Sequence, residues 1–164
     1  MATVYIETSI VSHASARASS DPVILTLQTQ AKEWWWRERL HFDLVTSELA
    51  VIEASAGDPV AAAERLKLLN GIPLVSIDVS VRRIAAALVS RSLMPEKAAA
   101  DALHVAAAAS AGVEYLLTQN CRHIANAHML PRVYALLESF GVSPPLVCTP
   151  VEFLGDWNDE ESNT

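Results

Sequence analysis

Short apolar runs and longer stretches of helical period take turns along this chain. Val4, Tyr5 and Ile6 make the first run, so TVYIE reads as a strand. Between Pro22 and about Arg39, the apolar residues Ile24, Leu27, Ala31, Trp34 and Trp35 recur at spacings that predict a helix, and Pro22 suits its first turn. FDLVTS reads as a strand ending in Ser47, whose hydroxyl can cap the helix ELAVIEASA before Gly57, Asp58 and Pro59 break it. AAAERLKLL is a helix stopped by Asn70 and Gly71, IPLVSI a strand, and VSVRRIAAALVSRSL a helix. Pro95 opens the helical stretch PEKAAADALHVAAAASA, which Gly112 closes. EYLLT and PLVCT read as strands on either side of the helix LPRVYALLESFG.

Strands that alternate with helices over the whole length predict an α/β fold, a parallel sheet with helices on both faces. In such sheets ligands bind beyond the carboxyl ends of the strands. Glu7, Thr118 and Asn120 all follow a strand directly. No repeat or linker divides the chain, so residues 1–155 are expected to form one domain and the acidic, polar segment 156–164 to fray.

Composition narrows the function. The chain is 51% hydrophobic and 19% charged, with a net charge of −7. That is globular, and the acidic balance argues against sequence-independent binding of nucleic acid over a broad basic surface. It leaves room for a local groove, or for a site whose positive charge comes from a metal. No apolar run reaches the roughly 20 residues of a membrane span, and the first residues lack the pattern of a signal peptide. Cys121 and Cys148 lie far apart with no metal-binding spacing, which points to a reduced, cytoplasmic protein with no membrane contact.

Two carboxylates sit where helices are otherwise apolar. Asp101 is the only charged residue between Lys97 and Glu114. An unpaired carboxylate on a buried helix is costly, so Asp101 needs a reason, and an ion pair with Lys97, four residues back, is the plain alternative to a functional one. Glu53 shares a helix face with Leu49, Ala50, Ala56 and Gly57, whereas Glu48 lies at the helix start, where the dipole accounts for it. With Glu7 these make three unexplained acids. Clustered carboxylates are tolerated when a hard divalent cation joins them, and Mg²⁺ or Mn²⁺ prefers such oxygen ligands.

The segments YIETSI, SELAVIEAS, AADALHVAAA and LLTQNCRHI come in the order and spacing of the PIN-domain nucleases, and the chain resembles the VapC-type toxins of toxin–antitoxin pairs over Val4 to about Glu152. AADALHVAAA followed by YLLTQN is the most specific part. The resemblance implies a three-layer α/β/α sandwich with a mainly parallel sheet. It also implies a Mg²⁺- or Mn²⁺-dependent ribonuclease, a cognate antitoxin and a homodimer. Carried over by position, the catalytic and metal-binding set is Glu7, Glu53, Asp101 and Asn120. Thr8, Ser9 and Thr118 would hydrogen-bond a water or a phosphate oxygen, and Arg122 and His123 would contact the RNA backbone. A histidine at position 123 is more often simply a surface residue. One position departs from the family: the usual first acid is Asp, and here it is Glu7. The extra methylene moves the carboxylate by roughly 1.5 Å, against a tolerance of about 0.5 Å in catalytic constellations. A PIN-fold module that binds RNA or a partner with weak or no catalysis is therefore the alternative.

Other features carry less. Trp34 and Trp35 read as core and Trp36 as partly exposed, with an interface or base stacking as alternatives. His41, His104 and His128 show no zinc-binding spacing. His104, three residues from Asp101, reads as a partner of that acid or as a packed histidine.

Overall fold

The structure is a computed structural model that describes residues 1–155, and the segment 156–164 expected to fray lies outside them. Five parallel strands form one sheet: β1 (Thr3–Ile6), β2 (Asp43–Ser47), β3 (Leu74–Val75), β4 (Tyr115–Leu117) and β5 (Leu146–Cys148), in the order β3-β2-β1-β4-β5. Parallel neighbours need long crossovers, which here are helical. They are α1 (Thr8–Ser15), α2 (Pro22–Trp36), α3 (Glu48–Ala54), α4 (Pro59–Leu69), α5 (Val79–Ser90), α6 (Ala99–Ser110) and α7 (Leu130–Ser139). The three-layer α/β/α architecture is the expected one.

The strands are apolar in unbroken runs because both faces of the sheet are covered. Val4, Tyr5 and Ile6 are fully buried. Tyr5 packs with Leu116 and Val147, its neighbours in register, and with Val105, Ala106 and Leu88 from α6 and α5. Val4 and Ile6 face the other way, against Leu117, Cys148, Ile10 of α1 and Trp34 and Trp35 of α2. The alanines of α6 follow from this packing. Ala106, Ala107 and Ala108 are fully buried, and small side chains let the helix lie close to its neighbours.

From β1 the chain builds outward to β2 and β3, then crosses to the far side of β1 to form β4 and β5. The order therefore reverses between β1 and β4, and a crevice at such a reversal is where open α/β sheets bind ligands. Glu7 follows β1 and Thr118 follows β4, so the two flank that point.

Three details differ from the sequence reading. Helix α1, which was not expected, starts directly after Glu7 and buries Ile10, Val11 and Ala14. Strand β3 is only two residues long, as suits a sheet edge that must not recruit a second chain. Ile24 belongs to the exposed first turns of α2, whereas Trp34 and Trp35 are core and Trp36 is 64% exposed, as expected. Among the described residues no helix is long and apolar enough to cross a membrane.

Candidate active site

Glu7 is not an ordinary strand-end residue. It is 5% exposed and is the N-cap of α1. Its Oε2 accepts hydrogen bonds from the Ser9 amide (3.1 Å), from the Ser9 hydroxyl and from the Thr118 hydroxyl (2.8 Å). Ser9 Oγ in turn accepts from the Gln119 amide at 2.8 Å, and Thr118 Oγ1 from the Asn120 amide at 3.0 Å. The two hydroxyls thus pin the carboxylate and tie α1 to the segment after β4.

Glu53 stands on α3, which buries Ala50 and Ala54. Its Oε1 accepts from the Thr8 hydroxyl at 2.7 Å and from His104 Nε2 at 2.5 Å. The Glu53 pKa lies below the ordinary carboxylate value. Burial is the largest influence and pushes it up. The hydrogen bond from His104, the charge that ring carries when protonated and the Thr8 hydroxyl together outweigh it.

Asp101 lies in the first turn of α6, where the helix dipole favours a negative charge. Its partner is not Lys97. That lysine is exposed, in a 3-10 turn over Glu96–Ala98, and makes no ion pair with Asp101. The helix proper begins only at Ala99, so the two residues do not share its face. Instead Asp101 Oδ2 meets His123 Nδ1 at 3.0 Å. His123 is accordingly half-buried and engaged rather than a free surface residue. Its amide donates to Asn120 Oδ1 at 3.0 Å, and the Asn120 carbonyl accepts from Ile124 and Ala125. Asn120 therefore shapes the loop that carries His123. Arg122, between them, is exposed.

The four expected residues thus join in one hydrogen-bonded run. Glu53 holds Thr8, next to Glu7. Glu7 holds Thr118, Thr118 holds Asn120, and Asn120 and Asp101 both hold His123. The acids are linked without being crowded: among the described residues, no three His, Cys, Asp or Glu side chains are grouped so as to hold a metal ion. Glu7 Oε1, Glu53 Oε2 and Asp101 Oδ1 take no hydrogen bond from the described residues, yet none is a buried atom lacking a partner, so solvent reaches each. No Lys or Arg among the described residues pairs with these acids. Hard oxygens of this kind, paired with no Lys or Arg, fit an ion such as Mg²⁺, which takes one or two carboxylates and keeps several waters.

Sequence reasoning missed several supports. His104 serves Glu53, not Asp101, because it faces back toward the sheet, where its Nδ1 meets Tyr5 Oη at 2.7 Å. Tyr5 also meets Ser47 Oγ at 2.6 Å. His13 bonds Gln119 Oε1, and Gln119 Nε2 donates to the Leu27 carbonyl. The one available signal was polarity inside apolar runs, at Tyr5 and His104.

No family model matches the chain, and neither does any curated protein sequence. Solved structures do. FitAB bound to an IR36 DNA fragment matches with a TM-score of 0.55 at 14% identity, over 93% of this chain and 99% of that one. VapBC2 from Rickettsia felis, bound to a DNA fragment from its promoter, matches with a TM-score of 0.51 at 10% identity, over 90% of this chain and 98% of that one. The fold is shared nearly end to end.

Proposed function

We propose that this chain, which has a VapC-like PIN fold, is a metal-dependent endoribonuclease and the toxin of a toxin–antitoxin pair. The observation that carries the reading is the hydrogen-bonded run at the sheet's switch point, with three carboxylate oxygens that take no hydrogen bond from the described residues and no Lys or Arg among those residues paired with the acids. Glu7, Glu53 and Asp101 are the residues to hold Mg²⁺ or Mn²⁺, with Asn120 as a neutral ligand or water-orienting group. A bound ion supplies an acidified water and stabilises charge developing on a phosphodiester. The hydroxyls of Thr8, Ser9 and Thr118 serve the acids themselves: each donates to a carboxylate and fixes the oxygen it touches. Arg122 and His123, beside Asn120, would meet the phosphate backbone of RNA, a contact that positions a substrate without reading its sequence.

The test is RNA cleavage by purified protein in Mn²⁺, with and without chelator. Cleavage that chelator stops, and that Asp101→Asn loses while its melting temperature in chelator stays near wild type, supports the reading. One observation favours a second reading, a PIN-fold module that binds RNA or a partner without cutting. The acids are not preassembled as a metal-holding trio. RNA retention with no cleavage in Mg²⁺ or Mn²⁺ would establish that reading and overturn the first.

A further inference from the structure

His104 is the one fully buried histidine among the described residues. It is fully buried in the Ala-rich stretch of α6, and both its nitrogens are engaged. Nothing in the proposed chemistry uses it directly. Its partners are Tyr5 of β1 and Glu53 of α3, and Tyr5 in turn meets Ser47 at the end of β2.

Hydrogen-bond bookkeeping fixes a direction. The Ser47 hydroxyl is an acceptor for the Ala50 amide at 3.4 Å and can donate to Tyr5 Oη. The Tyr5 hydroxyl can then donate to His104 Nδ1, leaving Nε2–H for the Glu53 carboxylate. Every proton has an acceptor in that order. In the reverse order the Ser47 hydroxyl proton has none among the described residues, a cost for a buried group.

We infer that His104 is a positioning residue for Glu53, held as the Nε2–H tautomer by Tyr5 and Ser47, and that it transmits the rigidity of β1 and β2 to an acid on the short helix α3. This rests on the proposed function only for its consequence in metal binding. The restraint on Glu53 belongs to the metal-free protein. Glu53 has a side chain 33% exposed and would otherwise sample several rotamers.

The experiment uses the full chain, isotope-labelled, in chelator at slightly alkaline pH. Nitrogen NMR of wild type should show His104 as the Nε2–H tautomer with a slowly exchanging ring proton. Side-chain relaxation should show Glu53 ordered. His104→Asn, which removes the donor to Glu53, should loosen Glu53, whereas His104→Gln, whose amide can reach the same carboxylate, should restore part of its order. Manganese affinity should fall about tenfold in His104→Asn, the scale for losing an outer partner of a ligand, and less in His104→Gln. An Nδ1–H tautomer, or an equally ordered Glu53 in a folded His104→Asn, overturns the proposal. If His104→Asn does not fold, Tyr5→Phe decides: Glu53 as ordered there as in wild type, with the tautomer unchanged, overturns it as well. Wild type that binds no Mn²⁺ but shows the tautomer and the ordered Glu53 overturns the metal reading alone.

Discussion

Glu7 shows what one residue must satisfy here. A carboxylate at an N-cap is common, but the usual acid there is the shorter Asp. Glu7 caps α1 and still reaches Thr118, so a single oxygen serves a helix end and the neighbouring strand end. The sequence marked this residue as out of place and set Thr118 at a strand end like it, but did not show that Thr118, 111 positions away, donates to it. Glu7→Asp keeps the cap while drawing the carboxylate back by roughly one bond length, about 1.5 Å. RNA cleavage by this variant should equal or exceed that of wild type if the family's usual acid is the better one. Complete loss, measured as initial rate in Mn²⁺, would show that the backbone after β1 has already adjusted to the longer side chain. Glu53 titrates in a predictable direction. Its pKa is below the ordinary 4.5, so its contribution to stability is present above that value and lost as pH falls through the folded pKa. In chelator, the denaturation midpoint of wild type should therefore exceed that of Glu53→Gln at neutral pH. The gap should narrow below pH 4.5, and a gap that stays constant contradicts the assignment.

At the scale of elements, the alternation of apolar runs with helical stretches was enough to give the strands and six of the seven helices. The exception, α1, has eight residues, four of them Ser or Thr, and buries only Ile10, Val11 and Ala14. No stripe that short stands out from a loop. Its stability comes from its ends and its docking, which sequence periodicity does not display. Ser9 is the central tie, because its hydroxyl donates to Glu7 and accepts from the Gln119 amide. Ser9→Ala leaves that amide without its acceptor and the carboxylate with one donor fewer, at a cost of about 1–3 kcal/mol. For a chain of this size that lowers the melting temperature by roughly 2–4 °C per kcal/mol. The same substitution at Ser12, whose hydroxyl makes no hydrogen bond with the described residues, should change it little. Equal effects would mean that α1 is held by its apolar face alone.

For the whole molecule, the site was legible as a set of residues but not as an arrangement. Motif order named Glu7, Glu53, Asp101 and Asn120. The histidines that hold two of the acids come from sequence separations of 51 and 22, which no local pattern encodes. What the assembled molecule adds is an electrostatic problem: a chain of net charge −7 brings three of its acids together near the sheet's switch point with no Lys or Arg among the described residues paired with them. Any added cation would stabilise such a protein somewhat by screening, so metal binding must be separated from that general effect. Manganese at about 100 times its dissociation constant should add about 2.7 kcal/mol, a rise in melting temperature of roughly 5–11 °C at the sensitivity expected for this size. Potassium chloride matched in ionic strength should give much less, and chelator should reverse the manganese shift. Asp101→Asn separates the two effects: it makes the protein less acidic, so screening changes only slightly, while a site needing that carboxylate loses most of the shift. If Asp101→Asn and wild type rise together in manganese, the ion is acting on the molecule's overall charge and not on these acids.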